Sequence, residues 1–230
     1  MTWVKICGMT NLEDALVAVD AGADAVGFVF YEKSPRYVTL SRAREIVERL
    51  PDEVEKVGVF VGTAEETLID TSNQVGLTVA QVYPGVNHRL PALPDEFLRN
   101  ARCDVIVAVP AESLEGGKGT DPGGFFLSNR PRERVRAVLV DSGRAHRPGG
   151  TGEKFNWEHA ELIREGMKRL DVPLIVAGGL APENVGDAIG IFRPWGVDVT
   201  TGVEASPGKK DPGKVRAFVR AVREIDRKAG

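Results

Sequence analysis

Val4-Lys5-Ile6-Cys7-Gly8-Met9-Thr10-Asn11-Leu12-Glu13-Asp14-Ala15-Leu16-Val17-Ala18-Val19-Asp20-Ala21 reads as a strand, a turn and a helix in direct succession. Val4–Cys7 has strand character, Gly8 breaks it, and Asn11 stands where a helix cap is expected before Leu12–Ala21. The same unit recurs along the chain. Further strands are predicted at Ala25–Phe30, Lys56–Val61, Thr78–Tyr83, Asp104–Val109, Ala137–Asp141, Pro173–Gly178 and Gly196–Thr200. Helices are predicted at Ser41–Leu50, Ala64–Val75, Pro94–Asn100, Trp157–Leu170, Pro182–Ile191 and Pro212–Lys228, with Ser41, Thr63 and Ala181-Pro182 at the starts of their segments.

Near-continuous apolar strands alternating with helices imply a parallel sheet covered on both faces. Eight units in 230 residues fit an α/β fold of the (β/α)₈ TIM-barrel type, with residues 1–230 forming one domain. A doubly wound sheet is the alternative. Its glycine fingerprint is missing, since Gly150-Thr151-Gly152 lacks the third glycine and does not directly follow a strand. Gly117-Lys118 is followed by Gly119, so there is no P-loop. The fifth unit is irregular. Glu112–Arg134 holds Gly116, Gly117, Gly119, Gly123 and Gly124 without helical period, and a long loop is expected there in place of the fifth helix.

A composition of 42% hydrophobic and 27% charged residues is ordinary for a globular chain, and a net charge of −3 gives no footprint for nucleic acid. The one basic cluster, Arg130 to Arg136, is interrupted by Glu133. Cys7 and Cys103 are far apart with no C-x-x-C spacing, which argues against zinc and thioredoxin-like chemistry and suits a reducing cytoplasm. The longest apolar run, Ala25 to Tyr31, is far too short to span a bilayer. A cytoplasmic protein without membrane contact is expected.

In a barrel of this type, chemistry gathers at the C-terminal strand ends. Those ends carry Cys7, the Ser34-Pro35-Arg36 turn, Tyr83, Asp141, Gly178-Gly179 and Thr200-Thr201-Gly202. Strand alternation puts Lys5 with Cys7, Leu139 with Asp141, and Asp198 with Thr200. If these faces point inward, a thiol, an ammonium and two carboxylates meet at one mouth. This is an acid/base constellation with no metal cluster beside it. Gly150 and Gly152, Gly178 and Gly179, and Thr200, Thr201 and Gly202 bring small residues to late strand ends, where bare N–H groups can hold a phosphate dianion.

These residues carry a resemblance. Lys5-Ile6-Cys7-Gly8-Met9-Thr10, Gly27-Phe28-Val29-Phe30 with Ser34-Pro35-Arg36, Asp141 followed by Gly149 to Phe155, Ala177-Gly178-Gly179-Leu180, and Gly196 to Val199 with Gly202-Val203-Glu204 closely resemble the phosphoribosylanthranilate isomerase family of tryptophan biosynthesis. The matches run in order over nearly the whole chain. The resemblance implies a (β/α)₈ barrel performing an Amadori rearrangement of N-(5-phosphoribosyl)anthranilate to the aminoketose. It implies Cys7 as general base, Asp141 as general acid, Arg36 as a bidentate clamp on the anthranilate carboxylate, and glycine-rich late strand ends for the phosphate. The reaction is redox-neutral, so no cofactor and no metal are expected. A thiol works as a base only as thiolate, and Lys5 is the nearest cation to favour that form.

Lys5, Tyr83 and Asp198 complete the expected substrate site. The partner is a small phosphosugar, and the family leaves monomer, homodimer and fused domain open. Three positions depart from the family pattern. Tyr83 stands where relatives carry histidine, Thr200-Thr201 where they carry serines, and Asn156 where they carry aspartate. Tyr83 is expected to stack on the anthranilate ring with its hydroxyl in water. A paralogue with another phosphosugar substrate, and a non-catalytic phosphosugar-binding barrel, are the alternative readings.

Overall fold

Eight parallel strands close into a barrel in a computed structural model, which describes residues 1–83, 100, 103–111, 134–141 and 160–229. They are β1 (Trp3–Cys7), β2 (Ala25–Val29), β3 (Glu55–Val61), β4 (Val79–Tyr83), β5 (Asp104–Pro110), β6 (Val135–Asp141), β7 (Leu174–Val176) and β8 (Gly196–Val199). Each pairs with the next in chain order, and β8 returns to β1 with Lys5 opposite Asp198. Closure excludes the doubly wound alternative, whose sheet is open.

The strands are buried on both faces, as their near-continuous apolar runs require. Alternation sorts their side chains into two cores. Trp3, Val57, Val79, Ile106, Leu139 and Ile175 fill the interior, while Val4, Ile6, Phe28, Val107 and Val176 pack outward. The outer layer is covered by α1 (Leu12–Asp20), α2 (Leu40–Val47), α3 (Glu65–Val75), α4 (Ala160–Leu170), α5 (Val185–Phe192) and α6 (Pro212–Ala229). A 3₁₀ turn, Thr201–Val203, leads from β8 into a hairpin of β9 (Glu204–Ser206) and β10 (Lys209–Lys210). The rings of Trp3 and Trp195 stack 5.2 Å apart where β1 meets β8, and the Arg136 guanidinium lies 5.4 Å from the Trp195 ring.

Helix starts are less regular than the sequence implies. Asn11 caps α1 as predicted, its side chain accepting from the Asp14 N–H at 2.9 Å. The α2 cap is Thr39 rather than Ser41, because the helix begins at Leu40. Ala64, not Thr63, stands at the α3 cap and makes no side-chain bond. Ala181-Pro182 opens a turn rather than α5. The Ala181 carbonyl accepts from both Asn184 and Val185, which tightens the entry and delays the helix to Val185. The predicted helix Pro94–Asn100 lies outside the described residues apart from Asn100, and the loop Glu112–Arg134 apart from Arg134. Among the described residues, no helix is long and apolar enough to cross a membrane.

Candidate active site

β1 delivers Lys5 and Cys7 to the interior together. The Lys5 ammonium lies 3.0 Å from both carboxylate oxygens of Asp198, which occupies the facing position on β8. Burial alone would push the Lys5 ammonium below its usual range. Asp198 and then the Cys7 sulfur outweigh that burial and hold it above the range. A charged lysine therefore sits beside the thiol. Room for both comes from Gly27 on β2, where a Cβ would fall 2.7 Å from Cys7 Sγ and 2.9 Å from Lys5 Cε. No larger residue fits there without displacing the thiol.

Across the mouth, β6 ends at Asp141 and β4 at Tyr83. The Tyr83 hydroxyl donates to Asp141 Oδ2 at 2.8 Å and accepts from Gln81 Nε2 at 3.4 Å. Tyr83 is 6% exposed, so its hydroxyl does not reach water as the sequence reading expected. From β4 the hydroxyl reaches across to β6, where a carboxylate offers a stronger partner than solvent.

Arg36 also departs from expectation. Its Nε and Nη2 form a two-pronged pair with Glu204 at 2.9 and 2.7 Å, and Nη2 donates to Thr201 Oγ1 at 3.1 Å. The edge of the guanidinium formed by Nε and Nη2 is thus engaged by the protein itself. Glu204 also accepts from Lys210 at 2.9 Å and from the Gly208 N–H at 3.2 Å. Burial pushes the Glu204 carboxyl up, but the bonds from Arg36 and Lys210 outweigh it and hold the group below the usual range.

Gly178 and Gly179 follow β7 with φ of 84° and 63°, a left-handed pair that side chains disfavour. The Gly179 carbonyl is held by Asn184 Nδ2 at 2.9 Å. These glycines, with Thr200, Thr201 and Gly202, line the same cavity as Cys7, Arg36, Tyr83, Asp141 and Asp198. Lys5 lies behind Cys7 and Asp198. Gly150 and Gly152 lie outside the described residues. Among the described residues, no cluster of His, Cys, Asp and Glu is arranged to hold a metal ion.

Three contributors escaped the sequence reading. Gln81 carried a signal, as a polar residue two positions before Tyr83 in an apolar run. Glu204 stood in a quoted motif without a role. Lys210 had no local signal, since the hairpin that carries it back is a tertiary feature. Together the cavity offers a thiol beside a cation, a carboxyl beside a neutral hydroxyl, and a rim of bare backbone. That set can add a proton at one atom and remove one at another while holding an anion.

Residues 4–221 match the family model described as N-(5'-phosphoribosyl)anthranilate (PRA) isomerase. The chain belongs to this family. The N-(5'-phosphoribosyl)anthranilate isomerase of Syntrophus aciditrophicus is 44% identical over 97% of the chain and 88% of that protein. The isomerase of Pseudomonas fluorescens is 44% identical over 95% and 97%. Phosphoribosylanthranilate isomerase from Thermotoga maritima superposes with a TM-score of 0.75 at 38% identity, covering 97% of this chain and all of that one. A structure of the isomerase bound to reduced 1-(o-carboxyphenylamino)-1-deoxyribulose 5-phosphate matches at 0.73 and 36% identity, over 97% and 100% of the two chains.

Proposed function

We propose that Cys7 and Asp141 divide the proton transfers of the family's reaction, the isomerisation of N-(5-phosphoribosyl)anthranilate in tryptophan biosynthesis. Asp141, protonated, gives its proton to the ribose ring oxygen as the bond from that oxygen to C1 breaks, and the anthranilate nitrogen takes up the iminium. Cys7, as thiolate, removes the proton from C2. The resulting enolamine is protonated at C1 and loses its C2 hydroxyl proton to give the ketone. No electrons leave the substrate.

The observation that carries the assignment is the contrast in neighbours. The thiol sits by the buried Lys5 ammonium, and the carboxyl by the Tyr83 hydroxyl. A cation favours the thiolate, whereas a hydroxyl donor favours a carboxylate by less than an ammonium does, which leaves Asp141 a proton to give. Gly178, Gly179, Thr200, Thr201 and Gly202 are the proposed phosphate rim, with Gly150 and Gly152 from the loop after β6. Arg36, through Nη1, meets the anthranilate carboxylate. Reduced 1-(o-carboxyphenylamino)-1-deoxyribulose 5-phosphate is bound in one phosphoribosylanthranilate isomerase of known structure. That of Thermotoga maritima is dimeric, and a homodimer of single-domain chains is the assembly proposed here.

Steady-state turnover of phosphoribosylanthranilate tests the reading. Conversion by the wild-type protein is expected, with inorganic phosphate inhibiting competitively. A protein that binds the substrate without converting it overturns the assignment.

A further inference from the structure

Gln81 and Tyr83 lie two residues apart on β4 and so enter the interior together. The Gln81 amide donates to the Tyr83 hydroxyl, and the hydroxyl donates to Asp141 Oδ2. Each bond directs the next. An oxygen already accepting from an amide turns its own hydrogen toward the carboxylate. Burial, and then the Asp141, Asp198 and Cys7 groups around it, push the Tyr83 hydroxyl well above its usual range, so it stays a neutral donor wherever the protein is folded.

A donor aimed at a carboxyl group favours its ionised form. An acid that delivers its proton finishes as a carboxylate, so such a bond strengthens during the step. We propose that Tyr83 is the positioning residue of proton delivery: held by Gln81, its hydroxyl orients the Asp141 carboxyl and stabilises the carboxylate left when the proton goes to the substrate. This rests on the role of Asp141 given above. Among the described residues, the cations at this cavity have carboxylate partners of their own. Lys5 from β1 pairs with Asp198 from β8, and Arg36 and Lys210 pair with Glu204. Cys7 is the remaining titratable group of β1 at this cavity. An imidazole in place of the phenol would donate as well, and would add a charge that titrates near neutrality.

The test is a carbon-13 NMR titration of the Asp141 carboxyl in the full chain, assigned with Asp141→Asn, run beside kcat and KM against pH. Tyr83→Phe keeps the ring and removes the donor. The Asp141 midpoint is expected to move up by about one pH unit. kcat should fall at least about tenfold, with KM within about threefold. The high-pH fall of kcat should move up with the midpoint, because the protonated acid then persists to higher pH. Tyr83→His should recover kcat to within about tenfold of wild type above the imidazole pKa.

An unmoved midpoint, or a Phe variant with wild-type kcat, overturns the proposal. If Tyr83→Phe fails to fold, Gln81→Leu is read instead. It frees the hydroxyl to rotate, and should move the midpoint the same way by less; no movement overturns the proposal equally. A wild type that does not turn over phosphoribosylanthranilate sinks the function above, while the titration still decides whether Tyr83 and Asp141 are coupled.

Discussion

Asp198 and Asp141 are both buried aspartates at the mouth of one barrel, and their neighbours make them different reagents. Asp198 faces the Lys5 ammonium at 3.0 Å through both oxygens, whereas Asp141 takes a hydrogen bond from a phenol at 2.8 Å. The first is committed to its charge. The second is the proposed acid. The same division separates the two sides of the mouth. Around β1 and β8, Lys5 with Asp198, and Arg36 and Lys210 with Glu204, make a buried ionic frame about the thiol. Around β4 and β6, a neutral relay of amide and hydroxyl serves the carboxyl. With Cys7 as the proposed base beside the ionic frame and Asp141 as the proposed acid beside the relay, both forms can be present at one pH.

The largest effect should come from the two reagents themselves. Cys7→Ala and Asp141→Asn should each lower kcat at least about a hundredfold with little change in KM. Cys103→Ala should leave kcat near wild type. Cys103 is buried just before β5, at the opposite end from the mouth, and burial pushes its thiol up, away from thiolate. A fully active Cys7→Ala would break the comparison outright.

Comparable in size is the ionic frame. Lys5→Met strands the Asp198 carboxylate in the interior and should cost about 3 kcal/mol or more of stability, read by denaturant unfolding. Lys5→Met with Asp198→Asn removes both charges and should recover a large part of that loss. A single variant as stable as wild type would show that water reaches Asp198.

Smaller still, Arg36→Met should raise KM at least about tenfold while lowering kcat less, because a contact with the substrate carboxylate acts alike in ground and transition states. Glu204→Gln keeps the shape but weakens the hold on Arg36, and should raise KM by about threefold. If Glu204→Gln instead lowers KM, the glutamate competes with the substrate for Arg36 rather than presenting it.

The smallest effect is one of pH. Arg36 and Lys210 hold the Glu204 carboxyl below its ordinary value of about 4.3 against the push of burial. Its contribution to stability is therefore complete above that value and is lost as pH falls through the lower, folded value. Acid unfolding of Glu204→Gln should be correspondingly shallower below about pH 4 than that of the wild type.

Much of this was legible in the residues, and the boundary has a physical cause. Eight apolar runs report burial on both faces, and burial on both faces of a parallel sheet leaves few architectures. Lys5, Cys7 and Asp198 could be placed on one surface because strand alternation is a local rule. Arg36 and Glu204 lie 168 residues apart, and no local rule says that one will occupy the other's fork. The direction of the Tyr83 hydroxyl depends on β6, two strands away, so a sequence reading sent it to water. Thr39 and Ser41 offer the same hydroxyl chemistry two positions apart. Only the chain's entry angle selects Thr39.

The stacked indoles of Trp3 and Trp195 straddle the seam where the first strand meets the last. The amides of a single β/α unit can order early, but this pair of rings cannot form until the two ends of the chain have met. Near-ultraviolet circular dichroism of the packed indoles, compared with Trp195→Phe, is thus a clock for ring closure. Amide absorption in the far ultraviolet times the assembly of the units themselves. In a stopped-flow refolding experiment, coincident signals would make closure and unit assembly one step, and a lag in the indole signal would reveal an open sheet before the barrel.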